Sequence, residues 1–225
     1  MTQHVETTRI VDRVYASLRD AILSGEMPPE TPLSVPELSR QLNVSRSPVR
    51  EAVLQLVSSG LAVERARKGC FVTRIELSDL IEIHDMRSAL EALAVSLIAD
   101  VPATLIQSLK EQISRQETAL AHQDWRAFTV ADRLFHECFH EYCGSGRLKN
   151  TLANLRLQME IALIEVAQSP DLMESSIKEH KQIVDTLVNG TPEMAGEVMR
   201  THIRSTRNRI WNRLQRETAE REERQ

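Results

Sequence analysis

The sequence predicts a mainly α-helical protein with one small β-hairpin, arranged as two domains over residues 1–75 and 76–225. Three observations predict it. Two short helical patterns meet at a tight turn between residues 33 and 64, and two β-prone runs then flank a basic tip. Beyond them lies a long stretch poor in proline and glycine, in which nearly every segment reads as helix.

The N-terminal elements follow from local chemistry. Ser34 with Glu37 has the spacing of a capping box, in which serine oxygen and glutamate each satisfy a backbone N–H at a helix start. A short helix should run to about Leu42, and Asn43 tolerates the left-handed turn that follows. Ser45 is placed to cap a second helix, with Pro48 in its first turn, where a missing N–H costs nothing. Val49, Ala52, Val53 and Leu56 keep the three-and-four spacing of a buried stripe, while Arg46 and Arg50 share the opposite face. That is the geometry of a recognition helix offering arginines to DNA. Gly60 can end it. Leu61–Val63 and Cys70–Val72 then read as two strands around the tip Arg65 to Gly69, a basic wing that completes a winged helix-turn-helix.

Six helices are predicted after the wing, at about 78–99, 103–122, 124–143, 147–168, 171–189 and 192–218. The breaks fall at Pro102, at Gly144–Ser145–Gly146, at Ser169–Pro170 and at Asn189 to Pro192. A charged tail, Glu217 to Gln225, closes the chain.

At 225 residues, 41% hydrophobic and 27% charged, the composition is that of an ordinary soluble protein. No apolar run approaches the roughly 20 residues that span a bilayer, and MTQHVETTRI is no signal peptide, so a cytoplasmic protein without membrane attachment is expected. Cys70, Cys138 and Cys143 form no CxxC pair and read as reduced, structural thiols. The net charge of −4 divides unevenly: residues 1–75 carry +2 and the remainder −6. Positive potential must therefore be local to the recognition helix and wing.

The stretch VSRSPVREAVLQLVSSGL, with ELSRQL before it and RKGCFV after it, resembles the winged helix-turn-helix of the GntR family of bacterial transcription regulators. The resemblance implies that Arg46 and Arg50 contact bases and phosphates, that Ser45 and Ser47 contact the DNA backbone, and that Gly69 shapes the wing tip. Arg40 and Lys68 join them as candidate DNA contacts. One position departs from the pattern. Several members have a DNA-contacting arginine where this chain has Pro36, so operator preference cannot be carried over.

In the second part, Asp132 and His136 stand four apart on one helix face, so a carboxylate and an imidazole can converge on one point. His180 and His202 sit in the last two helices, next to positions that should face the bundle interior. By themselves these histidines can be core residues, solvated residues or ligands. An Arg-and-Glu first helix, a DxxxH helix and single histidines in the last two helices, over about residues 78–215, resemble the helical FCD effector domain of the FadR subfamily. The resemblance implies that Asp132, His136, His180 and His202 hold one divalent metal per chain, zinc foremost, with nickel or manganese as alternatives. It also implies that Arg87 grips the carboxylate of a small organic acid beside the metal. The other reading of Arg87 is a surface ion pair with Asp85 or Glu91, and Glu91 is assigned to a structural polar pair.

The expected function is that of a ligand-responsive transcription regulator binding double-stranded operator DNA as a homodimer, without catalysis. The rival is a helical metalloenzyme acting on small organic acids, since a His₃Asp site with open positions could activate water. His140 and Glu137 lie nearby in sequence, but neither is spaced as an obvious general base.

Overall fold

The computed structural model describes residues 2–163 and 170–222. In chain order these form α1 (Thr2–Leu23), α2 (Val35–Gln41), α3 (Arg46–Ser58), β1 (Ala62–Arg65), β2 (Gly69–Val72), α4 (Leu77–Ser96), α5 (Ala103–Ala121), α6 (Trp125–Tyr142), α7 (Gly146–Leu163), α8 (Pro170–Asn189) and α9 (Pro192–Glu222). Two compact units result. One runs to Leu80 and takes in α7 from Asn154 onward; the other comprises Ile81 to Ala153 with α8 and α9.

The first unit is built around α3. Val49, Ala52 and Leu56 are fully buried and Val53 nearly so, which is the stripe predicted from their spacing. They meet Val14, Leu18 and Ile22 of α1, Leu38 of α2 and Val72 of β2, and Ile161 of α7 closes the same core. α1 has no counterpart among the predicted elements. Its Val11, Val14, Leu18 and Ile22 are nevertheless spaced three and four apart, and all are buried.

The two capping serines behave differently from the prediction. Ser34 and Ser45 occupy the N-cap positions in extended backbone, yet neither side chain makes a capping hydrogen bond. An N-cap oxygen serves the N–H of the second or third helical residue. Pro36 deletes the first of these donors in α2, and the Glu37 N–H goes instead to the Ser34 carbonyl at 3.1 Å. Pro48 deletes the second in α3. The turn between the helices is held elsewhere: Asn43 adopts φ +52°, and Ser39 Oγ donates to the Val44 carbonyl at 2.6 Å.

β1 and β2 pair antiparallel from Ala62 opposite Val72 to Arg65 opposite Gly69. The strands start and end within two residues of the predicted limits. Arg65 therefore belongs to the ladder and not to the tip, where Arg67 and Gly69 take positive φ values of 62° and 96°. Its guanidinium donates to both carboxylate oxygens of Glu30, at 2.6 and 2.8 Å, and lies 5.0 Å from the Phe71 ring centre. Arg65 is thus a buttress of the wing.

Among the described residues, the regular elements of the second unit are all helices. α5 packs on α6 and α8, and α8 on α9. Their shared core includes Leu105 and Leu109, Phe135 and Phe139, Ile183, and Met199 and Ile203. The helices of this part begin within a few residues of their predicted starts. The predicted end of the fourth at 168, the break at Ser169 and the last residues of the tail lie outside the described residues. All three cysteines are free thiols, with Cys143 buried.

Candidate functional site

On the first unit, Ser45, Arg46, Ser47 and Arg50 are exposed at the start of α3, and Arg40 is exposed on α2. Packing makes this so: the buried stripe of α3 turns the opposite face outward at its first turns. Neither Arg46 nor Arg50 makes an ion pair among the described residues. Arg40 Nε donates to the Pro36 carbonyl at 3.3 Å, and Ser47 Oγ to Glu51 at 3.4 Å. Lys68 and Gly69 are exposed at the wing tip, together with Arg67. Exposed guanidinium and ammonium groups at a helix start and a loop tip suit phosphates and base edges.

In the second unit, three helices bring His136 (α6), His180 (α8) and His202 (α9) together, and all three are buried. One ring nitrogen from each lies within 4.8 Å of the others. The Nδ1 atoms point outward to fixed acceptors: Glu91 Oε2 for His136, Gln116 Oε1 for His180 at 2.8 Å, and Glu179 Oε2 for His202 at 2.7 Å. Each acceptor keeps the imidazole proton on Nδ1 and leaves Nε2 as a lone pair. Nε2 of His180 and Nε2 of His202 then face each other at 3.2 Å. Two lone pairs at that distance repel unless a cation lies between them. Two ligands at ~2.0–2.1 Å on a tetrahedral metal stand about 3.3 Å apart, so the donor set fits a divalent cation such as zinc. Asp132 is partly exposed one turn before His136, its Oδ1 3.8 Å from His180 Nε2.

The electrostatics favour neutral rings at His136 and His180. Burial lowers the pKa of His136 against the pull of Glu91, and burial together with His202 takes His180 well below the usual imidazole range. Neutral imidazoles are the form that binds metal. The two carboxylate partners are anionic. Burial pushes the Glu179 carboxyl up, but hydrogen bonds from Arg209 and His202 outweigh it and bring it to about 2. Glu91 likewise lies well below the carboxylate range, because Arg87 and His136 outweigh its burial.

Arg87 does not stand at the surface, as its ion-pair reading expected. It is buried, as is Glu91, to which it donates from Nε at 2.8 Å and from Nη2 at 2.5 Å. The ion pair with Glu91 therefore exists, but as an interior pair and not a surface one; Asp85 pairs with Arg207 instead. Glu91 touches His136 as well, which places it beside the histidine centre. Its position four residues after Arg87 signalled a shared face, whereas nothing in the sequence singled out Gln116 or Glu179. His140, buried one turn beyond His136, has its Nε2 3.8 Å from Glu91 Oε2 and makes no closer hydrogen bond through that atom among the described residues.

Comparison with known proteins bears on both units. Residues 10–72 match the family described as bacterial regulatory proteins, gntR family, and residues 82–205 match the FCD domain. The chain is 26% identical over 202 residues to a "probable D-xylose utilization operon transcriptional repressor" of Paenarthrobacter nicotinovorans, covering 90% of this chain and 89% of that protein. It is 25% identical, with the same coverage, to the HTH-type transcriptional repressor RspR of Escherichia coli K12. A Rhodococcus sp. RHA1 structure named as transcriptional regulator GntR superposes with a TM-score of 0.72 at 26% identity, over 90% of this chain and 97% of that one. The E. coli McbR/YncC structure gives 0.74 at 22% identity with equal coverage, a likeness of fold.

Proposed function

This chain belongs to the GntR family of bacterial transcription regulators and carries an FCD effector domain, and from that premise we propose that it binds operator DNA as a homodimer whose affinity is set by a small carboxylic acid held at a metal in the helical unit. Its homologues and fold neighbours are transcription regulators and not enzymes, so the metalloenzyme alternative has no support.

One observation carries the metal part of the reading: one ring nitrogen of each of three buried histidines converges on a common point, while each Nδ1 lies against a carboxylate or amide oxygen. His136, His180 and His202, with Asp132 as the oxygen donor, would hold the ion. The bound ion would supply a Lewis-acidic position for a carboxylate oxygen, and Arg87 a planar guanidinium for the same group. The homodimer is supported by the small reach of a single recognition helix, since helix-turn-helix proteins gain tight specific binding by reading paired half-sites.

The test is metal analysis of the purified protein followed by operator titration with and without candidate acids, using DNA selected from random sequence. The expected results are about one zinc, nickel or manganese ion per chain and an operator affinity that shifts with one acid class. A chain that takes up no divalent metal would remove the metal centre from the reading. An operator affinity indifferent to every acid would remove the effector.

A further inference from the structure

We propose that Glu91 is a positioning residue that sets metal and effector affinity in opposite directions: it orients His136 for the metal and neutralises Arg87 against the acid. The inference rests on the metal and acid reading above.

Glu91 divides its two oxygens. Oε1 accepts both hydrogen bonds from Arg87, and Oε2 accepts from His136 Nδ1, all inside the helical unit. One carboxylate therefore serves both halves of the centre. Keeping the proton on Nδ1 leaves the His136 Nε2 lone pair available to an ion held with His180 and His202. Glutamine at this position offers one acceptor and one donor. Whichever atom faces His136, either that ring or Arg87 loses an acceptor. The second effect is one of charge. An anionic effector approaching Arg87 meets a guanidinium already matched by a buried carboxylate one helical turn away. Removing that negative charge strengthens the pull of Arg87 on an anion bound beside it.

The two effects differ in sign, and this separates positioning from simple damage, which lowers both affinities. Full-length Glu91→Gln is titrated with zinc against a chromophoric chelator. The zinc-saturated protein is then titrated by calorimetry with acetate, propionate, lactate and succinate. The expected outcome is a roughly 10- to 100-fold loss of zinc affinity and, for whichever acid the wild type binds, a gain of about tenfold. Glu91→Asp keeps the charge but is one methylene shorter; it should lose zinc affinity with no gain for the acid. Unchanged zinc affinity in Glu91→Asp overturns the proposal even if Glu91→Gln does not fold. A wild type that binds an acid no better after Glu91→Gln overturns the role of Glu91 alone. A zinc-loaded wild type that binds none of the acids overturns the effector reading and this inference with it.

Discussion

At the scale of single residues, the arginines at the start of α3 and the three buried histidines make separable predictions. Arg46→Ala and Arg50→Ala should abolish specific operator binding with helical content unchanged, because a bidentate base contact is worth roughly 1–3 kcal/mol per half-site. Wild-type affinity in gel-shift titrations would remove the recognition face. Lys68→Ala, at the exposed wing tip, should weaken binding to all sequences alike and flatten the salt dependence. Replacing His136, His180 or His202 by Ala should release the metal and lower the melting temperature together, since ligands on three helices tie part of the folding free energy to the ion. Arg87→Ala carries two effects because the residue is buried against Glu91: loss of the acid response and a destabilisation of about 3–5 kcal/mol from a buried carboxylate that has lost its guanidinium. Denaturant titration beside acid calorimetry separates them. Cys138 gives a chemical check on burial. Its partly buried thiol is pushed up to about 11 by burial and then by Glu137, so iodoacetamide at pH 8 should label it far more slowly in the folded protein than after unfolding.

Elements differ in how much of themselves they show in sequence. α3 was legible as a whole, because a helix that buries one stripe must repeat apolar residues every three or four positions. Leu56→Ala, at a fully buried site facing α1 and the wing, should cost about 2–5 kcal/mol in urea denaturation. Capping was not legible from the Ser-x-x-Glu pattern, since prolines in the first turns remove the very N–H groups that a serine would serve. The wing was legible in type but not in register. Two further residues of β1 move Arg65 from the basic tip into the ladder, where Glu30 and Phe71 hold it. Glu30→Ala should accordingly lower DNA affinity less than Arg46→Ala does, and the loss should appear for all sequences, because it loosens the platform under Lys68 and leaves base reading intact. Equal losses for the two variants would contradict that division.

For the whole molecule, the governing expectation is linkage. An acid that shifts operator affinity by 1–3 kcal/mol, roughly 5- to 150-fold, must have its own affinity shifted by the same factor when operator DNA is bound. Calorimetry of the acid with free and DNA-bound protein measures both sides of that cycle, and unequal factors would exclude a simple two-state response. Sedimentation of the DNA-free protein tests the proposed homodimer directly.

The sequence by itself determined the kinds of elements, the exposed arginine face of α3 and the helices that carry Asp132, His136, His180 and His202. All of these rest on local spacing, and local spacing fixes which face of a helix a residue occupies. The tertiary structure alone decided what each face meets. Glu91, Gln116 and Glu179 lie 45, 64 and 23 residues from the histidines they hold, on other helices, so no periodicity within one helix could pair them. The same limit hid the setting of Arg87: its spacing from Glu91 showed that the two could meet, but only the packing of α4 in the unit interior removes the pair from water and joins it to His136.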